Sequence, residues 1–372
     1  MSGGNDTTSI APYNFGSEYV EDYDYLIEEG VIDDTLAQKI RAYNTYKDSR
    51  RQDYTDAYIA IANAQAEIDR LQDLHPIDAV RTSWNAYTIP ELQEERYKWT
   101  LLDNAIVEKH GGDNLQPYDP DYPTLRSIRK VIIPDIDKEI QRQADGSQTN
   151  FEHINYKIIW ELYGISELEI SKKNYENSIR TLAAKGYDHP WQEGDSDDQG
   201  SHDRNYQTYL TYVGYVSAIN SRLALLNDIL QNRQAILDSA NADRATIADD
   251  VKITHQRFGF TTDDIQYINY LRIDCDYKDS SIEVIDPNDY SEVSHCAVEL
   301  YNSAKEQAAI TSRPQRHYEF ATDNPFLDEA CAKQLDGLTV GDFLYFELDN
   351  KEKLKQRVTS ITYNLADMND IA

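Results

Sequence analysis

Cysteine and long apolar runs are scarce in this 372-residue chain, and each shortage excludes a class of protein. Cys275, Cys296 and Cys331 are too few and too scattered for a disulfide framework or a zinc–thiolate cluster, which favours a reducing folding compartment. No apolar run approaches the roughly 18 residues that a bilayer-spanning helix needs. The N-terminus lacks the basic and apolar regions of a secretory signal. We therefore predict a soluble protein that is made in a cytoplasm.

Basic residues and phenylalanine are also few. Lys and Arg number 36 against 66 Asp and Glu, so the formal net charge is −30. Such a surface repels nucleic-acid phosphates and anionic lipids, which predicts neither nucleic acid nor membrane as a partner. The chain has 8 Phe but 28 Tyr. Because tyrosine is well suited to half-buried positions, this composition favours an elongated structure with little deep core.

Sequence signatures of catalysis are missing. The chain contains no HExxH, GxSxG, P-loop or GxGxxG pattern. Seven histidines show no metal-ligand spacing: His75, His110, His153, His189, His202, His255 and His295. We predict that the protein is not an enzyme, and we assign it no catalytic residue, no cofactor and no metal ligand.

One acidic segment partly imitates a calcium-binding loop. Its oxygen-bearing residues and sixth-position glycine are Asp195, Asp197, Gln199, Gly200 and Asp203. The twelfth position is Tyr206, where an EF-hand has a bidentate Glu. We interpret residues 193–203 as a mobile, solvated loop, with calcium binding as the alternative.

A thiol–imidazole pair between Cys331 and His317 is a second hypothesis for chemistry. No spacing rule brings these two residues together, and Cys331 belongs to an apolar helical pattern. We interpret Cys331 as a buried structural cysteine, which is the commoner role of free cysteine.

The strongest periodic signal is a repeat of four- and three-residue steps in two segments. The first is Leu36, Ile40, Tyr43, Lys47, Arg50, Tyr54, Ala57, Ile61, Ala64, Ile68 and Leu71; the second is Tyr209, Tyr212, Val216, Ile219, Leu223, Leu226, Leu230, Arg233, Leu237, Ala240, Arg244, Ile247 and Val251. This 3.5-residue period predicts helices that pair as an antiparallel coiled-coil stalk, with seams about 50 and 60 Å long. We interpret the basic residues in the seams as extending their charged ends to Asp or Glu. The alternative is that they fix the register in which the two helices pair.

The chain is therefore predicted to be α+β and mainly α, with a long antiparallel coiled-coil stalk and a helical distal lobe inserted in a small β-containing base domain. Within the lobe we predict helices over 125–143, kinked at Pro134, and over 151–185. Near the C-terminus, alternating residues predict a β-hairpin over 341–348 and 355–363, and residues 316–321 predict another strand. The predicted segments are 1–30 (N-terminal base), 31–75 (first stalk helix), 76–205 (distal lobe), 206–255 (second stalk helix) and 256–372 (C-terminal base).

Three parts of the chain resemble one protein family. They are the N-terminal segments 2–6, 19–25 and 30–34, the stretch from Phe260 to Ile273 with Glu299 to Pro314, and the C-terminal hairpin from Leu338 to Ile371. Together they are similar to the tail-tip or baseplate hub proteins of phages of Gram-positive bacteria, the prophage tail endopeptidase-like, tail-associated family. In that family the shared region builds a trimeric hub, and any wall-degrading domain is a separate appendage.

The resemblance implies a virion structural protein of a phage tail tip or baseplate, synthesised in the bacterial host cytoplasm. It implies other tail proteins as partners, a homotrimer, and a role in host attachment. We expect the chain to be a segment of a longer tail protein or the product of a split gene. Two alternatives remain: a tail-associated cell-wall hydrolase fragment, and a module that binds wall glycans as host receptor.

Overall fold

A computed structural model of the chain describes residues 8–313, 339–347 and 353–357. Its contacts divide the chain into two compact units, Met1–Ser312 and Arg313–Ala372, which are described separately below. Among the described residues, no helix is both long enough and apolar enough to cross a membrane. The helices of the first unit are α1 (Asp24–Glu28), α2 (Asp34–Asp73), α3 (Ile89–Lys109), α4 (Tyr122–Ser127), α5 (Ile133–Ala144), α6 (Ile165–Ala184), α7 (Gln199–Asp250), α8 (Thr262–Leu271) and α9 (Tyr290–Thr311).

Helices α2 and α7 pack against each other in antiparallel orientation. Near the start of α2, the Tyr46 hydroxyl lies 3.4 Å from the Asp250 carboxylate at the end of α7. Further along, the carboxylate of Glu67 pairs with Arg233 at 3.1 Å. At its end, Leu71 packs in one cluster with Leu226. Residue numbers thus rise along α2 as they fall along α7, which is the predicted pairing direction; a coiled-coil supercoil stays a prediction.

Most of the buried residues of the two helices belong to the predicted seams. On α7 they include Ile219, Leu223, Leu226, Leu237, Ala240 and Ile247. Helix α7 begins at Gln199, seven residues before the predicted stalk helix, because the Asp198 side chain caps it there. The Arg233 guanidinium reaches Glu67, as the seam interpretation predicts. It also donates to the hydroxyl of Tyr118, a residue between α2 and α6, at 2.8 Å. This hydrogen bond links the seam to that part of the chain.

Residues between α2 and α6 form a lobe with its own apolar core. The core packs α3 against α4 and α5, and it includes Trp84, Leu92, Ile106, Leu125, Ile132 and Ile136. The predicted helix over 125–143 is present, but a π-helical turn over Ile128–Ile132 joins α4 to α5. Pro134 is the second residue after this turn. Since proline has no N–H and crowds the carbonyl four residues back, the wider π turn accommodates it without ending the helix.

Helix α6 starts at Ile165, well after the predicted start at Phe151. The intervening residues include two short 3₁₀ turns, Tyr156–Ile158 and Trp160–Leu162. Gly164 then passes so close to the end of α2 that its N–H donates to the Leu74 carbonyl at 2.6 Å. A methyl group at Gly164 would lie 2.5 Å from the Gln72 carbonyl oxygen, so only glycine fits this crossing.

Arg51 joins three parts of the first unit that are distant in sequence. Its side chain is 5% exposed, although it lies on α2 outside the predicted seam. The guanidinium donates to Asn14 at 2.6 Å and to the Tyr301 hydroxyl at 2.5 Å. It also stacks 4.1 Å from the centre of the Tyr301 ring. The N-terminal segment, α2 and α9 are therefore held together by one buried cation whose donors are shared among them.

The prediction of a β-containing base domain is wrong. The described residues of the first unit that flank α2 and α7, 8–33 and 251–312, form helices, turns and loops without a strand. Asn14 lies in a turn, and residues 274–289 are rich in residue types that favour turns over strands. These segments lack the alternation of apolar and polar residues that strands require. The predicted hairpin is present in the second unit, where β1 (Phe343–Glu347) pairs antiparallel with β2 (Lys353–Arg357). The strand predicted over 316–321 lies outside the described residues.

Substituting Gly164 by Ala tests the close crossing at the end of α2. The added methyl group would meet the Gln72 and Leu71 carbonyl oxygens and the Leu74 nitrogen within 2.7 Å. Because these are backbone atoms, relief requires the helices to separate. We expect the free energy of unfolding, measured by urea denaturation, to fall by about 2–4 kcal/mol.

Gly214→Ala provides the matched control. Gly214 lies in the middle of α7, and a methyl group there meets nothing within 4 Å. Alanine should raise the free energy of unfolding by about 0.5–1 kcal/mol, since it favours the helix over glycine. Equal effects of the two substitutions would contradict the crossing described here.

Candidate metal centre

The turn between α6 and α7 brings together side chains that are separated in sequence. Helix α6 ends with Gly186 in the left-handed region at φ +82°, and the Gly186 N–H donates to the Ala183 carbonyl. The chain then forms a loop up to Asp198, whose carboxylate accepts the Ser201 N–H at 3.0 Å. This cap starts α7 and places His202 in its first turn, where the side chain is buried.

Three potential metal ligands meet in this turn. His189 and Asp195 lie on the loop and His202 on α7, and one ligand atom from each lies within 4.8 Å of the others. Nε2 of His202 is 3.4 Å from Oδ2 of Asp195. The two imidazole rings lie 5.5 Å apart between their centres. Among the described residues, this is the one group of three such side chains close enough to share an ion.

Hydrogen bonds hold the three side chains in place. Oδ2 of Asp195 accepts the Gln192 N–H at 2.7 Å. Nδ1 of His189 lies 2.9 Å from the Pro190 carbonyl oxygen, which can only accept. In that hydrogen bond His189 carries its proton on Nδ1, so Nε2 keeps its lone pair. Imidazoles that bind metals commonly donate their other N–H to a backbone carbonyl in this way.

His202 is the most buried member of the group. Its side chain is 2% exposed. Nε2 faces the Gly186 carbonyl oxygen at 3.2 Å as well as the Asp195 carboxylate. Nδ1 is buried and makes no hydrogen bond. A buried ring nitrogen without a partner costs free energy, so this position requires an explanation beyond packing.

Aromatic and acidic neighbours fix the loop around the group. The Tyr187 ring packs edge-on against His202, with 5.3 Å between ring centres. The Tyr187 hydroxyl donates to the Asp197 carboxylate, and this hydrogen bond raises the pKa of Tyr187. Trp191 donates from Nε1 to the Asp197 carbonyl oxygen at 3.2 Å. These contacts connect the loop over residues 186–198 to the start of α7.

The predicted loop is present over residues 193–198, where Glu193, Ser196 and Asp198 are exposed. The prediction is wrong from Gln199 onward, where α7 begins. The mobility of the loop stays a prediction.

The calcium-like pattern does not form a calcium loop in this structure. Gln199, Gly200 and Asp203 lie in the first turns of α7 and cannot supply alternating loop ligands. Of the pattern, only Asp195 joins the group with the two histidines. His189 and His202 were not predicted as ligands, because five and six residues separate them from Asp195, a spacing without a known motif. The available signal was that His189 lies before, and His202 after, the residue at which α7 starts.

Other residues singled out in the sequence lie apart from this group. Cys275 is exposed, whereas Cys296 is buried on α9. Cys331 and His317 lie outside the described residues, so the hypothesis of a thiol–imidazole pair stays untested. His153 binds the buried Asp135 at 2.9 Å, and His110 binds Asp121 at 2.9 Å. Comparison of the chain with protein-family models, with curated proteins and with solved structures gave no match.

Asp198→Ala tests how the start of α7 is held. Without the carboxylate, the Ser201 N–H loses its acceptor, so we expect its amide hydrogen to exchange faster with solvent. Hydrogen exchange followed by NMR provides the measurement. Asp203→Ala, in the same turn, removes a carboxylate without removing this cap and should leave the exchange rate unchanged.

The same cap should be sensitive to acid. The Ser201 hydroxyl and N–H both donate to Asp198 and lower its pKa. A carboxyl group with a lowered pKa stabilises the folded state above its ordinary pKa of about 3.9, and this contribution is lost as the pH falls below that value. Protection of the Ser201 amide should therefore fall below about pH 4 in the wild type and stay constant in Asp198→Asn. A constant protection in both proteins would contradict the assignment of the cap.

Proposed function

We propose that this protein is a non-enzymatic structural component of a bacteriophage tail tip or baseplate. In this role one end of the α2–α7 pair docks among other tail proteins, and the pair projects the helical lobe. The observation that carries the proposal is the antiparallel pairing of two unusually long helices. The resemblance of the terminal segments to tail-tip hub proteins is the reason for assigning the α2–α7 pair to such an assembly.

The lengths of the two helices support a role as a spacer. Helix α2 has 40 residues and α7 has 52, which correspond to about 60 and 78 Å of helix. Different elements pack on the two ends of the pair. Near the start of α2, Lys39 forms a salt bridge with Asp264 of α8 at 2.7 Å. On α7, Arg222 and Arg233 bind the lobe residues Tyr122 and Tyr118.

Exposed apolar residues in α8 and in the segment that follows it along the chain are the candidates for the assembly surface. Tyr270, Ile273 and Ile285 are each more than 80% exposed. Where such side chains form a contiguous patch, a partner commonly covers it. Under the proposal, the partners are other tail or baseplate proteins and further copies of this chain in a trimer. The protein then resides in the virion after its synthesis in the host cytoplasm.

Incorporation into phage particles tests the proposal. A phage that produces the wild-type chain should carry it at the tail tip, detected by immunogold electron microscopy and by mass spectrometry of purified particles. The double substitution Tyr270→Asp and Ile273→Asp should abolish incorporation, because it charges the assembly surface. Circular dichroism establishes that the variant keeps its helices.

The matched control charges exposed apolar residues of the lobe. Tyr97 and Leu101 of α3 are 63% and 49% exposed. The double substitution Tyr97→Asp and Leu101→Asp should leave incorporation unchanged. Absence of the wild-type chain from particles would overturn the proposal. So would a lobe variant that fails to incorporate while the variant at positions 270 and 273 incorporates normally. A lysis band from the purified chain on Gram-positive cell walls would instead establish the hydrolase alternative.

A further inference from the structure

The group at the start of α7 has the donor atoms that a transition metal prefers. Two imidazoles and one carboxylate are typical ligands of zinc and its neighbours in the first transition row, whereas calcium and magnesium prefer oxygen alone. The three side chains come from a short loop and the adjoining helix, so their spacing depends on local structure only. The group is independent of the proposed assembly surface beside α8.

Distances within the group suit a small tetrahedral ion. Zinc–ligand bonds of about 2.1 Å place neighbouring ligand atoms about 3.4 Å apart in a tetrahedron. Nε2 of His202 and Oδ2 of Asp195 are already separated by 3.4 Å. The largest separation among the three ligand atoms is at most 4.8 Å. A shift of at most about 1.4 Å in the ligand atom of His189 therefore completes the geometry.

Protonation of the two histidines also fits a metal. The hydrogen bond from Nδ1 of His189 to the Pro190 carbonyl leaves Nε2 free to bind an ion. His202 has one ring nitrogen that faces two oxygen acceptors and a second that is buried without a partner. With Nε2, the nitrogen that faces Asp195, as the ligand atom, the free energy of ion binding offsets the cost of burying this imidazole.

We infer that His189, Asp195 and His202 bind one divalent transition metal ion of the zinc type, with water at the fourth position. The ion crosslinks the loop over residues 186–198 to the first turn of α7. It thereby fixes the turn between α6 and α7, at the end of α7 remote from α8. Anchoring this turn between the two helices is the role that the proposal assigns to the ion.

Metal titration of the full chain tests the inference. The protein is treated with a chelator, freed of it, and titrated with zinc chloride by calorimetry and with cobalt chloride by visible absorption. We expect one ion per chain, a visible absorption band typical of tetrahedral cobalt, and a higher melting temperature with zinc. His189→Ala and Asp195→Asn should each weaken zinc binding by at least about tenfold and remove the cobalt band.

Two further variants keep the outcome interpretable. His189 is only partly buried, so His189→Ala should fold even where a substitution of the buried His202 does not. His295→Ala is the control, because His295 is exposed on α9 and pairs with Glu299 instead. It should bind zinc as the wild type does. Failure of the wild type to bind one zinc or cobalt ion would overturn the inference, as would equal affinity in His189→Ala and His295→Ala, which would place the ion elsewhere.

Discussion

The apolar contact between α2 and α7 is the interaction on which the first unit depends. Leu71 of α2 and Ile219 and Leu226 of α7 are fully buried in one cluster, and Ala64, Ile68 and Leu237 continue the contact toward the other end. About 125 residues separate the two helices along the chain, so their pairing closes a long loop at an entropic cost. Burial of a continuous stripe of apolar side chains offsets that cost. Every element between the two helices then attaches to a fixed frame.

Polar contacts decide how the remaining elements attach to this frame. Arg233 and Arg222 reach from α7 to Tyr118 and Tyr122 of the lobe. At the other end, Arg51 lies outside the seam and binds Asn14 and Tyr301. Because arginine offers several donors and a flat face, one side chain can bind partners from separate elements. Arginine–tyrosine contacts thus join elements beside the apolar clusters, which gives these tyrosines a structural role.

The sequence predicted the frame well and the attachments poorly. The heptad spacing from Leu36 to Leu71 and from Tyr209 to Val251 depends on local periodicity, which a sequence displays directly. Gly164 and Arg51 depend on contacts across tens to hundreds of residues, which no local pattern marks. The contacts of His202 lie within one turn, but their spacing follows no known motif. The β-containing base was predicted from the hairpin at residues 343–357, whose strands belong to a separate unit. The sequence pattern of a hairpin predicts two paired strands. It does not indicate which other elements those strands pack against.

Spin-label distances across α2 and α7 test the frame most directly. Labels replace Glu67 and Arg233 in one protein and Glu67 and Asp250 in another, with the native cysteines substituted. The antiparallel pairing predicts a short distance for the first pair, because these residues form a salt bridge. It predicts a distance longer by about 20 Å for the second, since 17 residues of α7 separate the two label sites. A shorter distance between positions 67 and 250 than between 67 and 233 would contradict the pairing.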